Sequence, residues 1–520
     1  GERSDGEHNE GLFKMLHCRA SRPGSLPGER DLRDRRACAW PGTRRNFMYR
    51  KLDSTALTLC LLLGLLAPAA SEAGAPEPPN IIFIMADDLG YGDLGCYGQK
   101  EIKTPRIDRL AAEGMRFTDF YAGSTVCAPS RCVLMTGYHT GHALVRGNAR
   151  LPLRPEDITV AEVLKKKSYS TGIIGKWGLG EPGSTGIPNR QGFDYWFGYL
   201  NQRHAHNYYP EFLFRNEEKV KLRGNVVRAA GKEGSGVATR KVTYSHDLMA
   251  EEALSFIDRN KDRRFFLYLP FTIPHANNEA RNKGMEVPSL GIYTSKDWPE
   301  PQRAHAAMIS LLDRDVGRIL DRLEKHGLSG NTVFMFTSDN GPHSEGGGKS
   351  AFFKSSGKLR GQKRDLYDGG IRVPLIVRWP GKVKAGSTSG YIGCFQDFLL
   401  TAAELAGAEA PAGTDGISFV PALLGKEQKR HPYLYWEFYE RGYSQAVRMG
   451  KYKGVRRKAD QPVELYDVTT DIGERDDLSA ANPAIVKKIL AAFKEAHTPS
   501  PHWKPRVPRK KAPRSKPAKQ

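Results

Sequence analysis

Short, uninterrupted apolar runs recur along this chain and alternate with segments of helical periodicity. Asn80–Ala86 reads NIIFIMA, residues 264–271 read RFFLYLPF and residues 332–337 read TVFMFT. Continuous runs of this length predict strands buried on both faces, as in a parallel sheet. Residues 302–326 instead repeat apolar side chains every three or four positions and predict a long amphipathic helix. Strands that alternate with helices predict an α/β domain built on a large mixed, mostly parallel sheet flanked by helices.

Polar side chains follow four of the predicted strands at the point where each strand ends. The carboxyl ends of the strands in an open α/β sheet face the ligand crevice. The sequence therefore predicts that six side chains converge there: Asp87, Asp88, Lys176, His275, Asp339 and Asn340.

Four of these six residues, Asp87, Asp88, Asp339 and Asn340, offer only oxygen atoms as ligands. Oxygen ligands suit a hard divalent cation and argue against zinc, and calcium tolerates carboxylates with an amide carbonyl in irregular geometry. Each pair alone has another reading, because two aspartates after a strand also form the acidic pocket of receiver domains and Asp-Asn also forms turns. The two pairs together favour a metal site.

The segment 124–138, STVCAPSRCVLMTGY, contains an unusual cysteine. Pro129 fits the first turn of a helix, so Cys127 is expected at or just before a helix N-terminus, where backbone N–H groups favour an anion. Arg131 follows one turn later. The residues alone leave two alternatives, a chemically active sulfur and a buried structural cysteine.

Two further segments contain candidate substrate ligands. Lys363 lies in the glycine-containing loop 359–374, from which it could reach an anionic group; the alternative is a solvated basic loop. His204 and His206 lie among aromatic residues in NQRHAHNYYP, a composition common in carbohydrate pockets. These two histidines could equally be satisfied surface residues.

Composition adds information mainly at the two ends of the chain. The 520 residues carry a formal net charge of +21, while 39% hydrophobic and 26% charged residues are ordinary for a globular protein. Residues 48–74 read as a signal peptide whose apolar core is too short for a membrane span, so we expect export, periplasmic or secreted, without a transmembrane anchor. For residues 1–47 we expect either a sequence start placed too far upstream or a disordered N-terminus. Residues 498–520 predict a disordered basic tail without a specific nucleic-acid partner.

The region after residue 425 has a different texture, with short alternating runs such as YLYWEF and a predicted helix over 482–496. We therefore expect a main domain over 80–425 and a small C-terminal subdomain over 426–497, an antiparallel sheet with a helix. Of seven cysteines, Cys96, Cys127, Cys132 and Cys394 follow the signal segment. These four are too few for a disulfide framework, and they lack zinc-site spacing.

Several of these segments together resemble type I sulfatases of the alkaline phosphatase superfamily, which are arylsulfatase A-like, and most closely the exported carbohydrate sulfatases of bacteria. The matching segments span about residues 80–497 in the family's order. They are ADDLG (86–90), CAPSR (127–131) with Thr136 and Gly137, GKWGLG (175–180), SDNG (338–341), the loop 359–374 and ELYDV (464–468).

The resemblance implies a role for each matching residue. A maturation enzyme would oxidise Cys127 to formylglycine, whose hydrate supplies the nucleophile, and Arg131 and Lys176 would stabilise that hydrate. Asp87, Asp88, Asp339 and Asn340 would bind Ca²⁺. His275 would protonate the leaving alcohol and Lys363 would bind the sulfate. The implied substrate is a sulfated carbohydrate of the galactose or N-acetylgalactosamine type or a related glycan. Cations that offset charge on a transferring group, together with a positioned acid, are what this chemistry needs.

One position departs from the family's pattern. Many relatives have a histidine two residues after the lysine of GKW, where this chain has Gly178. His139 or His142, which closely follow the Cys127 helix in sequence, are our candidates for the missing role. The resemblance also leaves two alternatives, a phosphonate or phosphate monoester hydrolase of the same superfamily and an inactive sugar-binding homologue.

Overall fold

The computed structural model describes residues 77–228, 231 and 233–505. The predicted N-terminal extension and signal peptide lie outside the described residues, as do residues 506–520 of the predicted tail. Among the described residues, no helix is both long enough and apolar enough to cross a membrane.

A large mixed sheet forms the centre of the described chain. Its five central strands run parallel to one another, and antiparallel strands join at both sides. In spatial order the ten strands are β13 (Ser387–Ser389), β2 (Met115–Phe117), β12 (Leu375–Arg378), β11 (Thr332–Ser338), β1 (Asn80–Ala86), β10 (Phe265–Pro270), β4 (Ser170–Lys176), β5 (Tyr195–Tyr199), β6 (Phe212–Arg215) and β7 (Glu218–Lys221). This sheet confirms the predicted fold class.

Successive side chains of β1 enter two different hydrophobic cores, because side chains alternate between the faces of a strand. Ile81, Phe83 and Met85 belong to one core, and Ile82, Ile84 and Ala86 belong to the other. The helices that cover the first face include α2 (Cys127–Thr136), α3 (Val160–Lys165) and α8 (Asp397–Ala406), and those that cover the second include α1 (Pro105–Glu113), α5 (Ser245–Asn260) and α6 (Glu300–Lys325).

The remaining elements are short or belong to the C-terminal region. They are the helices α4 (Gln202–His206), α7 (Asp368–Ile371) and α9 (Val420–Leu423), and the strand pairs β3 (Phe120–Tyr121) with β14 (Gly393–Cys394) and β8 (Val226–Arg228) with β9 (Val237–Arg240).

A separate antiparallel sheet lies near the C-terminus, as the alternating runs predict. It consists of β15 (Leu434–Phe438), β16 (Ser444–Met449), β17 (Tyr452–Arg456) and β18 (Glu464–Asp467), and α10 (Pro483–Glu495) packs against it. Buried ion pairs join this sheet to the main domain: Lys453 Nζ lies 2.6 Å from Asp368 Oδ1, and Arg146 Nη1 lies 2.7 Å from Glu437 Oε1.

The chain stays in contact with the main domain beyond the predicted boundary at residue 498. The Trp503 indole donates a hydrogen bond of 2.7 Å to the Leu144 carbonyl, and the Thr498 amide donates to the Gly141 carbonyl at 3.1 Å. Thr498 and Trp503 therefore contact the main domain, although both lie in the segment predicted as a disordered tail. Trp503 has a large apolar surface that can be buried. The basic composition of the tail as a whole does not indicate the contact made by this single residue.

Candidate active site

The predicted convergence of polar side chains has a direct cause in the strand register. Ala86 of β1 pairs with Ser338 of β11, so Asp87 and Asp339 leave the sheet side by side, and the Asp339 amide donates to the Ala86 carbonyl at 3.0 Å. On the other side of β1, β10 and β4 bring His275 and Lys176 to the same edge. Four neighbouring strands thus deliver all six side chains to one place.

The acidic residues form a compact, fully buried cluster. The Asp88 amide donates to Asp339 Oδ1 at 3.1 Å, and the Asn340 side-chain amide donates to Asp88 Oδ1 at 2.7 Å. Asp88 has a φ of 65°, a left-handed conformation that few non-glycine residues adopt. Such a conformation at a cluster of acidic side chains is typical of a functional site.

Three cations compensate the carboxylates. Lys176 Nζ lies 2.7 Å from Asp87 Oδ2, and Arg131 Nη2 lies 2.8 Å from Asp339 Oδ2 and 3.4 Å from Asp87 Oδ2. Lys363 Nζ lies 2.7 Å from Asp88 Oδ2. Burial alone would raise the pKa of Asp87, but the charges of Lys176 and Arg131 hold that pKa well below its usual range. Burial and the charge of Asp87 raise the pKa of Asp339 to about 7.

These acidic residues fit a hard cation. Asn340 Oδ1 is buried and accepts no hydrogen bond from the described residues, so it is free to bind a metal ion. The carboxylates of Asp87, Asp88 and Asp339 supply the other oxygen atoms. Three carboxylates and one amide oxygen are ligands that calcium accepts.

Cys127 is the first residue of α2, as the position of Pro129 predicts. Its Sγ lies 3.3 Å from Asp87 Oδ1, so the thiol donates to a carboxylate. Burial and the nearby charge of Asp87 raise the pKa of this thiol well above its usual range. Burial and Asp87 thus favour the neutral thiol over a thiolate at this position.

His275 lies between a carbonyl group and a lysine. Its Nδ1 donates to the Ala276 carbonyl at 2.7 Å, and its Nε2 lies 2.9 Å from Lys363 Nζ. Because the ammonium is a donor only, Nε2 accepts this bond and the ring is neutral. Burial and the charge of Lys363 lower the pKa of His275 well below its usual range.

The two histidines of NQRHAHNYYP have different surroundings. The His206 ring stacks on that of His275, with 4.9 Å between ring centroids and 13° between planes, and His206 Nδ1 lies 3.0 Å from Glu279 Oε2. The His204 ring instead packs against Tyr199 and Phe212 and bonds to the Phe212 carbonyl at 2.9 Å. His204 thus belongs to the aromatic core, which corrects the expectation that both histidines contact substrate.

The structure also corrects the expectation for His139 and His142. His142 Nδ1 lies 2.9 Å from Asp415 Oδ1, and the His139 ring stacks on His142 and contacts Tyr435, so neither histidine bonds to the residues around Cys127. Gln202 lies beside Gly178 instead, and its amide donates to the Gly178 carbonyl at 3.2 Å. A Cβ at Gly178 would lie 2.8 Å from Gln202 Nε2, so Gln202 takes the space beside this glycine.

A cavity of about 490 Å³ opens onto Cys127, His275 and Lys363. Several of its lining residues lie on loops, on the short helix α4 or in the 3-10 helix Asn278–Lys283, where no strand register places them. They include Asn148, Arg150, Gln202, Arg203, Asn278 and Arg364. Gln202 and Arg203 do lie in the NQRHAHNYYP segment, and Arg364 follows Lys363 directly, so these three had a signal in the sequence.

Comparison with known protein families shows which family this chain belongs to. Residues 79–408 match the family model described as sulfatase, and residues 361–497 match that of the N-sulphoglucosamine sulphohydrolase C-terminal region. The chain belongs to the sulfatase family. This sulfatase is therefore a hydrolase of sulfuric esters, and the resemblance drawn from its motifs is confirmed.

Individual relatives agree with this assignment. The sulfatase is 34% identical over 421 residues to N-acetylgalactosamine-6-sulfatase of Canis lupus familiaris, covering 76% of this chain and 74% of the relative. It is 29% identical to N-acetylgalactosamine-6-O-sulfatase of Bacteroides thetaiotaomicron, covering 81% and 94%. Among solved structures it is similar to Ps i-CgsB in complex with k-i-k-neocarrahexaose, with a TM-score of 0.68, 27% identity and coverage of 81% and 92%.

Proposed function

We propose that this sulfatase removes a sulfate group from a sulfated carbohydrate of the galactose or N-acetylgalactosamine type or a related glycan. The observation that carries the proposal is the position of Cys127, whose Sγ faces Asp87 inside a cavity that Lys363 and His275 also line. One small cavity thus contains a nucleophile position, a cation for an anionic group and a candidate acid. The names of the sugar-acting relatives support a carbohydrate substrate.

We propose that Cys127 is the precursor of formylglycine, which a formylglycine-generating enzyme makes from it. The burial of this thiol and its hydrogen bond to Asp87 support this assignment, because a buried neutral thiol is a poor nucleophile. The two hydroxyl groups of an aldehyde hydrate explain why serine would not suffice. One hydroxyl attacks sulfur as the bond from sulfur to the sugar oxygen breaks. Loss of the proton from the other hydroxyl then breaks the carbon–oxygen bond to the sulfate, which leaves as the aldehyde forms again.

Asp87, Asp88, Asp339 and Asn340 would hold the metal ion, for which we propose Ca²⁺. When bound, calcium supplies positive charge that offsets the negative charge of the sulfate group and of the nucleophile. Arg131 bonds to Asp339 and to the Lys176 carbonyl, and so fixes the acidic cluster relative to Lys176.

The remaining residues act on the two ends of the bond that breaks. Lys363 lines the cavity and offers its ammonium to a sulfate oxygen. His275 Nε2 faces the same cavity and would deliver a proton to the leaving sugar oxygen, because an alkoxide leaves poorly. Protonation of His275 requires that Lys363 turn from Nε2 toward the incoming sulfate, whose negative charge favours both changes.

The test is sulfate release by the purified, matured protein from galactose 6-sulfate, N-acetylgalactosamine 6-sulfate and glucosamine 6-sulfate. We expect turnover of at least one sugar, loss of turnover after chelation and recovery with Ca²⁺. An aryl sulfate and an aryl phosphate with the same leaving group test the phosphatase alternative. Faster turnover of the phosphate would contradict the proposal, and absence of all turnover with formylglycine present would favour a sugar-binding homologue.

We also infer export from the cell, periplasmic or secreted, and cleavage after the segment 48–74. The basic start, apolar core and small residues of this segment support the inference. N-terminal sequencing of the protein recovered outside the cytoplasm tests it. An N-terminus near residue 75 is the expected result, whereas an intact 48–74 segment on cytoplasmic protein would contradict it.

A further inference from the structure

The helix that carries Cys127 receives its N-terminal cap from a distant loop. The residue before α2 is Val126, whose side chain has no atom that accepts a hydrogen bond, and Pro129 has no amide hydrogen. The Ala128 amide nevertheless has a partner, because it donates to Asn148 Oδ1 at 3.0 Å. Asn148 lies 20 positions further along the chain and does what an N-cap asparagine does in other helices.

Residues 498–503, which we call the strap, bond along the loop that leads to Asn148. The Thr498 amide donates to the Gly141 carbonyl at 3.1 Å. The Thr498 carbonyl accepts a bond of 2.7 Å from Arg146 Nη1. The strap therefore holds this loop at a point near its start and at a second point just before Asn148.

Trp503 covers the residue that immediately precedes Asn148. The indole donates to the Leu144 carbonyl at 2.7 Å, and its ring packs against the first hydrophobic core. A Cβ at Gly147 would lie only 2.7 Å from a carbon atom of the Trp503 ring. Because Gly147 has no side chain, the indole lies directly against the backbone of the loop.

Asn148 is also held from the side of the active-site cavity, which it lines together with Cys127. Its backbone amide donates to Glu440 Oε1 at 3.3 Å, and Arg364 Nε donates to the other oxygen of Glu440 at 3.2 Å. Glu440 follows β15 closely in the chain. The position of the cap thus depends on the strap and on the C-terminal sheet region.

We propose that Asn148 is a positioning residue for the group at position 127, and that the strap affects the reaction through Asn148. The bond to Asn148 fixes the first turn of α2, and the strap fixes the loop that supplies this bond. Loss of the Trp503 contact would release Asn148, and residue 127 would then move relative to Asp87, which it faces at 3.3 Å. The inference rests on the proposed function, in which position 127 supplies the nucleophile.

The first test measures turnover of an aryl sulfate by matured Asn148 variants, with each rate divided by the fraction of aldehyde at position 127. Asn148→Ala removes the acceptor for the Ala128 amide. We expect kcat to fall about tenfold, because small misplacements of a reacting group are costly. Asn148→Asp has the same shape and keeps an acceptor, so its kcat should be close to that of the wild type. Its negative charge should instead raise the KM for the anionic substrate. Loss of stability alone would not separate kcat from KM in this way.

The second test compares Trp503→Ala with Trp379→Ala. Both tryptophans are half-buried and pack against the same hydrophobic core. Trp379, however, follows Arg378, which pairs with Phe334 near the start of β11, at the end of the sheet opposite to the active site. We expect Trp503→Ala to lower kcat about tenfold, as loss of the cap does, and Trp379→Ala to leave kcat unchanged.

The double variant of Trp503→Ala with Asn148→Ala shows whether the strap acts through the cap. It should be no slower than Asn148→Ala alone, because both changes remove the same interaction. Losses that multiply in the double variant, or an equal loss of kcat in Trp379→Ala, would overturn the action through Asn148. Wild-type kcat in Asn148→Ala would overturn the positioning role. Absence of turnover by the wild-type protein with formylglycine present would overturn the proposed function instead, so the two failures are distinguishable.

Discussion

The Lys363 ammonium donates a hydrogen bond to the His275 imidazole, with 2.9 Å between Nζ and Nε2. The same ammonium lies 2.7 Å from Asp88 Oδ2, so one lysine joins the candidate acid to the candidate metal cluster. Both side chains are nearly fully buried, at 4% and 2% exposure. The lysine is therefore in place for the proposed role, which is to bind a sulfate group next to the histidine that we propose as the acid for the leaving oxygen.

Replacement of Lys363 by methionine removes this charge and keeps the length of the side chain. We expect kcat/KM for a sugar sulfate to fall about 10²- to 10³-fold, as for loss of one preorganised charged contact in an enclosed site. Lys363→Arg keeps the charge and should retain more activity than Lys363→Met. Equal turnover by wild type and Lys363→Met would show that this lysine does not contact the sulfate.

The stacking of His206 on His275 predicts a positioning role for His206. Its ring is parallel to that of His275 within 13° and is held by Glu279. We expect His206→Ala to lower kcat about tenfold by releasing the His275 ring, since a small misplacement of a catalytic group is costly. His206→Phe keeps a flat ring in the stack and should restore most of kcat. If the phenylalanine variant is as slow as the alanine variant, stacking is not what matters.

The position of Gln202 leads to a prediction for the space near Cys127. Its side chain fills the space beside Gly178 and lines the cavity with Cys127. We expect Gln202→Ala to lower kcat about tenfold, the effect of one lost hydrogen bond in an active site, with an unchanged melting temperature. Gly178→Ala tests the same space from the other side, because its Cβ would displace the Gln202 amide at a backbone φ of 85°. Wild-type kcat in both variants would exclude a role for this space.

The burial of His204 leads to a prediction of how the free energy of unfolding depends on pH. Burial lowers the pKa of His204 to about 3, from 6.5 in an unfolded chain. Below pH 6.5 the unfolded chain therefore binds a proton that the folded chain does not, and stability falls as pH decreases toward 3. At pH 5 this residue alone should remove about 2 kcal/mol of the free energy of unfolding.

The measurement is urea unfolding at pH 7.5 and pH 5 for the wild type and His204→Gln, whose amide can still donate to the Phe212 carbonyl. The variant should lose about 2 kcal/mol less than the wild type between the two pH values. The exposed His502 provides the control, and His502→Gln should behave as the wild type does. An identical loss in wild type and His204→Gln would contradict the assigned shift.

The sequence predicts the convergence of the acidic side chains because parallel strands bring their carboxyl ends to one edge. Register then places Asp87 and Asp88 beside Asp339. Asp88 bonds to Asp339 although 251 positions separate the two residues in the chain. The same reasoning fails for side chains that strands do not carry. His204 and His206 lie two residues apart on α4, and two residues span about 200° around a helix. Only the packing of α4 decides which histidine faces the cavity, and that packing is not encoded locally.

Nearness in sequence was misleading at His139 and His142 for a similar reason. Cys127 begins α2 and Thr136 ends it, so the helix carries the chain about 14 Å from Cys127 before either histidine appears. Gln202, which is far from Cys127 in the sequence, lies beside Gly178 instead. Contacts between distant loops depend on how the whole domain packs, and no local pattern reports them.

The identity of the group at position 127 is the central claim. Peptide mass analysis of protein co-expressed with a formylglycine-generating enzyme, combined with sulfate release by the same samples, tests it most directly. We predict a peptide with an aldehyde in place of the Cys127 thiol, turnover in proportion to the converted fraction, and no turnover from Cys127→Ala. Full turnover from protein whose Cys127 remains an unmodified thiol would contradict the account.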